Sequence, residues 1–91
     1  MIFDMLQPPS TLDEAVDRLQ LILTPEEQLQ IAVLKQDDLI NLHFSLGLEI
    51  RNAFGLHSAE SKLLKVCGTD QADGASMVIL EALWVRLCDT Y

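Results

Sequence analysis

The sequence predicts an all-α fold, a compact bundle of four to five short helices, and three observations predict it. Helix starts with explicit capping residues recur along the chain. Apolar residues fall at helical spacing, and alternation of period two never lasts. The turn dipeptides that mark β-hairpins are absent. The 91 residues suffice for one domain, and a hydrophobic content of 49 % supplies its core. The expected division is an N-terminal arm over 1–10 and a single helical domain over 11–91.

The arm MIFDMLQPPS carries Met1, Ile2, Phe3, Met5 and Leu6, and Pro8-Pro9 stops any helix from continuing. Helix 1 begins at Thr11, where Thr-Leu-Asp-Glu reads as a capping box. Leu12, Ala15, Val16, Leu19, Ile22 and Leu23 then form one amphipathic stripe. Thr24-Pro25-Glu26-Glu27 opens helix 2 with a second capping box and proline at the first helical position. Leu29, Ala32 and Val33 give that helix its apolar edge, with Ile31 and Leu34 beside it, and it ends near Lys35-Gln36.

Asp37-Asp38 suit the start of helix 3. Its pattern runs to Phe54 and stops at Gly55. Ser58 is placed to cap a short helix 4 that carries Leu63, Leu64 and Val66 and ends at Cys67-Gly68. The last helix starts near Gln71 or Asp73 and reaches Leu87. It is apolar almost all round, interrupted only by Ser76, Glu81 and Arg86. Such a helix is central in a bundle or has a side that meets another chain.

Charge narrows the function. There are 14 acids against 6 bases, a net charge of −8. Neutralising phosphates takes a basic face, and the six bases are scattered, so neither nucleic acid nor an anionic membrane is an expected partner. The start has no basic n-region, and MVILEALWVRL is too short and too charged to span a bilayer. The expected location is cytoplasmic, with Cys67 and Cys88 as reduced thiols.

Chemistry-bearing motifs are few. TDQADGASMVILE resembles a calcium loop faintly, but with Gly74 at the sixth position it lacks both the first carboxylate and the terminal glutamate. Phosphate loops, nucleophile elbows and HExxH are absent. Paired acids all sit at helix starts, where capping explains them. Two cysteines without further ligands do not make a zinc site. Neither a catalytic constellation, a cofactor nor a metal is expected.

One stretch stands apart. In LHFSLGLEIRNAFGLH, His43, Gly47 and Arg51 are four residues apart and line one row of a helix, with Asn52 beside the row near the helix end. A mid-helix glycine costs about 1 kcal/mol relative to alanine, so close approach of another segment is expected at Gly47. The row reads either as a polar pocket for an anion or a partner's carboxylate, or as an internal fitting. In the second reading Arg51 pairs with an acid of the same chain and His43 bonds a backbone carbonyl.

The segments PPSTLDEAV, LHFSLGLEIRNAFGL, LLKVCG and ASMVILEALW together resemble a small bacterial domain family of unknown function. Its pattern is LHFxLGxxIRNxFGLW, then LL, CG and DDASxxILEALW, after a PxSLDEAV helix. The likeness runs from about Pro9 to Leu87. The sequence departs from the pattern at His57, where tryptophan is frequent, and at Ala72, where an acid is frequent. The resemblance implies a small helical protein and carries over no functional residue.

The residues favour a small acidic, non-enzymatic protein-interaction module, with self-association as one version and Phe3 and Trp84 as candidate interface residues. An alternative is an immunity or inhibitor partner of a basic toxin or nuclease, steered by the net charge. A third is a small-ligand binder or enzyme using the row His43, Gly47, Arg51 with Asn52 or Cys67.

Overall fold

The computed structural model describes residues 9–42, 45–56, 61–69 and 71–90. In chain order these form α1 (Leu12–Ile22), α2 (Pro25–Ala32), a 3₁₀ helix (Gln36–Leu42), α3 (Leu46–Ala53), α4 (Lys62–Val66) and α5 (Ala72–Thr90). The described residues hold no strand, and none of their helices is long and apolar enough to cross a membrane.

The 19-residue α5 is the hub, and every other helix packs against it. This is why its sequence is apolar all round. Ile79, Leu80, Leu83 and Leu87 are fully buried, and Met77, Ala82 and Trp84 pack half-buried against the same core. Around it α1 contributes Ala15, Val16 and Leu19, α3 contributes Ile50, and α4 contributes Leu63 and Leu64. Full burial of one such aliphatic side chain stabilises the fold by roughly 1.5–3 kcal/mol.

Side-chain caps set the starts of α1, α2 and α4, whereas Ser45 before α3 makes no cap hydrogen bond. The Thr24 box is closed: Glu27 N–H donates to Thr24 Oγ1 at 3.1 Å, and Thr24 N–H donates to Glu27 Oε1 at 2.9 Å. At α1, Glu14 N–H donates to Thr11 Oγ1 at 3.2 Å, but the Glu14 carboxylate accepts from Ser10 N–H at 3.3 Å. The returning half of that box therefore reaches one residue further back than expected. Pro9, just before it, is already fully buried.

Glycine sets one helix end. Gly55 has a φ of 64°, and Leu56 N–H bonds Arg51 O at 3.1 Å, which closes a Schellman turn after α3. At the end of α1, Gln28 Nε2 donates to both Gln20 O and Leu23 O, at 2.9 and 3.0 Å. One α2 side chain thus satisfies two carbonyls that α1 leaves open.

Several elements differ from expectation. The stretch from Asp37 to Phe54 is not one helix. It is a 3₁₀ helix over Gln36–Leu42, then α3 from Leu46, with residues 43 and 44 outside the described set. Ile22 does not belong to the core stripe of α1, being 51 % exposed at the helix end. The inner edge of α2 is Ile31, which leaves Leu29 and Val33 outside. That helix ends at Ala32, earlier than expected. The cap of α4 is Ser61, whose Oγ accepts from Leu64 N–H at 3.2 Å. Ser58, the expected cap, lies outside the described residues, as does the proposed arm through residue 8. Finally, α5 continues past Leu87 to Thr90.

Candidate functional site

The polar row of α3 faces α5. Gly47 and Arg51 are both buried, one helical turn apart. A Cβ added at Gly47 would lie 3.3 Å from Arg51 Nη1, 3.4 Å from Leu42 O and 3.7 Å from Leu80 Cδ1. The notch left by the missing side chain is therefore filled by the Arg51 guanidinium, by the end of the 3₁₀ helix and by α5.

Arg51 is 7 % exposed, and a buried guanidinium requires partners. Its Nη1 donates to Ser76 Oγ at 3.1 Å, and its Nε lies 3.5 Å from Asp73 Oδ1. Ser76 Oγ in turn donates to Asp73 O at 2.9 Å, so it accepts from α3 and donates within α5. Arg51 has further interactions besides these. The Asp73 side chain is 72 % exposed, so this ion pair is half in water. What the arrangement does chemically is join α3 to the first turn of α5.

The other row residues fall differently. Asn52 is exposed in the last turn of α3, and His43 lies outside the described residues. So does Phe3. Trp84 is half-buried against the core, and its indole N–H donates to Leu34 O at 2.9 Å, just past the end of α2. Cys88 Sγ lies 3.5 Å from Ala32 O, and Gln36 Nε2 donates to Glu81 Oε1 at 3.4 Å. Positions 81, 84 and 88 form one face of α5, and that face straps down the chain between α2 and the 3₁₀ helix.

A second polar cluster is one that the sequence pattern does not predict. Arg86 Nη1 bonds Asp17 Oδ1 and also Gln20 Oε1, the latter at 3.2 Å, and Nη2 lies 3.4 Å from Asp13 Oδ1. It ties α5 to α1. The available signal was an arginine alone in an apolar helix, with aspartates four apart on another.

Next to this cluster, α1 and α5 enclose an open groove of about 570 Å³. Leu12, Val16, Val78, Ala82 and Val85 line it, and Asp13, Glu81 and Asp89 stand among them. A smaller groove of about 400 Å³ lies between α2 and α3. Among the described residues, no three His, Cys, Asp or Glu side chains gather as a metal site would require. Cys67 and Cys88 are free thiols, and burial pushes the Cys67 thiol above its ordinary value. A thiol held in its neutral form is poorly suited to nucleophilic work.

No curated protein and no solved structure matches the chain. Residues 8–87 match the family described as "Domain of unknown function (DUF6794)". That match covers the capped helix starts, the Gly47–Arg51 row and nearly all of the central helix, and the chain belongs to this family.

Proposed function

We propose that this chain is a small acidic, non-enzymatic protein-interaction module. The observation that carries this reading is the apolar surface left over after the core is made. Eight large apolar side chains of the described residues are 46 to 86 % exposed, although α5 has already buried most of its own. Single exposed apolar residues are ordinary, but four of these eight fall in two pairs. Leu21 (86 %) and Ile22 end α1, and Leu29 and Val33 (71 %) share one face of α2.

The Arg51 row contributes less to a ligand-binding or enzymatic reading. Its guanidinium is engaged by Ser76 and Asp73, so an incoming anion would have to displace them.

The net charge of −8 supports the narrower version, an immunity or inhibitor partner of a basic protein, because attraction would speed encounter with a cationic surface. The same charge disfavours nucleic acid and opposes close self-association. A cytoplasmic location belongs to the same reading.

The test is affinity purification of the tagged protein from its native cells at low and moderate salt, followed by mass spectrometry. A stoichiometric protein partner supports the module, and loss of a basic partner as salt rises supports the inhibitor version. Recovery of the chain alone, together with a strict monomer in light scattering across a wide concentration range, would sink the proposal.

A further inference from the structure

We propose that the groove between α1 and α5 is the docking site for a basic amphipathic helix of a partner protein. This rests on the interaction-module reading and names its surface and its partner. Val78, Glu81, Ala82, Val85 and Asp89 fall at offsets of 3, 4, 7 and 11 along α5. That is the stripe one helix presents to another. The remaining faces of α5 are taken by its own domain, whereas Val85 is 49 % exposed. The α1 wall runs alongside, so the groove is a seat between two helices, the form that receives an amphipathic helix. From Val78 to Asp89 the seat is about 16 Å long, at roughly 1.5 Å per residue, or three turns of an incoming helix.

Charge complementarity selects the occupant. The lining holds three carboxylates, Asp13, Glu81 and Asp89, and one base, Arg86. Arg86 pairs with Asp13 and Asp17 of α1, so Asp13 is already engaged, and Glu81, which accepts from the neutral Gln36 amide, and Asp89 carry the negative charge left at the rim. A second copy would bring another net charge of −8 to this rim, and a nucleic acid would bring phosphates. An apolar stripe flanked by lysine or arginine satisfies both floor and rim.

The experiment uses the full chain, isotope-labelled, and two synthetic peptides of about 14 residues, enough to cover three helical turns. Both carry the same leucine stripe, with lysine at every flanking position in one and glutamate in the other. The lysine peptide is expected to bind at least tenfold more tightly and to shift the amides of 78–89 and 12–16. Raising salt from about 50 to 300 mM weakens it, as screening requires. Val85→Asn removes floor and Asp89→Asn removes rim without adding positive charge, and each is expected to weaken binding at least fivefold. Lys62→Gln, at an exposed site on α4 away from the groove, leaves binding unchanged.

Equal binding of the two peptides overturns the proposal, as do shifts centred on the α2–α3 groove. Nuclear Overhauser contacts that place the chain's own residues 1–7, or a second copy, against Val85 also overturn it. If a native partner is captured whose binding ignores Val85→Asn and Asp89→Asn, the groove assignment falls while the interaction-module reading stands.

Discussion

Arg51 Nη1 donates a hydrogen bond to Ser76 Oγ at 3.1 Å, joining the last turn of α3 to the first part of α5 through two buried side chains. The pair explains why a helix otherwise committed to the core keeps a serine at position 76. Replacing Ser76 with alanine is nearly isosteric, but it leaves Arg51 Nη1 without this acceptor. A loss of about 1–2 kcal/mol is expected from chemical denaturation. Arg51→Met keeps most of the volume and removes the charge. Its ion-pair partner Asp73 is mostly in water, so the cost stays near 1–3 kcal/mol, below that of stranding a buried ion. Asp73→Asn costs less than either. A stability unchanged by Arg51→Met would show that the row does not hold the helices together.

Gly47 depends on the same guanidinium. Alanine gains about 1 kcal/mol of helix propensity, but its Cβ would sit 3.3 Å from Arg51 Nη1, a contact that must relax. Nor can the Leu42 carbonyl at 3.4 Å move freely, because it belongs to the backbone. The two effects nearly cancel, so Gly47→Ala is expected within about 1 kcal/mol of wild type. Gly47→Val overfills the notch and loses about 1–3 kcal/mol. In the Arg51→Met background, Gly47→Ala becomes stabilising, because the nearest contact is gone. A double-mutant cycle measures that coupling, and strict additivity would deny it.

The helix starts at Thr11 and Thr24 and the stop at Gly55 were legible in the sequence because caps are local. Each rests on atoms within about four residues. The central position of α5 was legible as one of two readings of an all-round apolar helix, the other being a side that meets another chain. The break between the 3₁₀ helix and α3 was not, since the apolar pattern from Leu39 to Phe54 is compatible with one uninterrupted helix. At the break Leu42 O comes within 3.4 Å of where a Gly47 Cβ would stand, a chain approach that the apolar pattern does not mark. Likewise the polar interruptions of α5 were visible, but their partners were not. Ser76, Glu81 and Arg86 each bond a different element, α3, the 3₁₀ helix and α1, at separations of 25 residues or more.

The two threonine caps differ in a testable way. The Thr24 box is reciprocal, whereas Glu14 is diverted to Ser10 N–H. Thr24→Ala is expected to cost about 1 kcal/mol, and Thr11→Ala no more than that. Glu27→Ala should also weaken α2, because Thr24 N–H loses its acceptor. Equal, negligible effects of Thr24→Ala and Glu27→Ala in thermal melts would contradict this.

Trp84 serves the fold through its indole N–H. Phenylalanine keeps most of the packing but strands Leu34 O beside a half-buried ring. Trp84→Phe is expected to lose about 1 kcal/mol, and Trp84→Ala about 2–4 kcal/mol, near the low end for a large aromatic because the ring is not fully enclosed. Circular dichroism melts suit both variants, since the only tryptophan is removed in each. If Trp84→Phe is neutral for stability yet abolishes capture of a native partner, the residue acts at an interface and not as a strap.

The two cysteines make opposite demands on a thiol reagent. Cys88 is exposed at the end of α5, whereas Cys67 is half-buried, and burial raises its thiol value. Alkylation proceeds through the thiolate, so Cys88 should be modified first at neutral pH. As pH rises the Cys67 rate should climb later and narrow the gap. Peptide mapping by mass spectrometry after timed iodoacetamide exposure reads both sites at once. The linkage to stability has a definite sign. A raised thiol value means that the folded chain keeps its proton after the unfolded chain has begun to lose it, from about pH 8.5 upward. In that window the unfolded state binds fewer protons, so stability falls as pH rises. Below it, Cys67 contributes no pH dependence. Cys67→Ser should therefore flatten the alkaline limb of the stability profile, and an identical limb in both proteins would assign the decline to other groups.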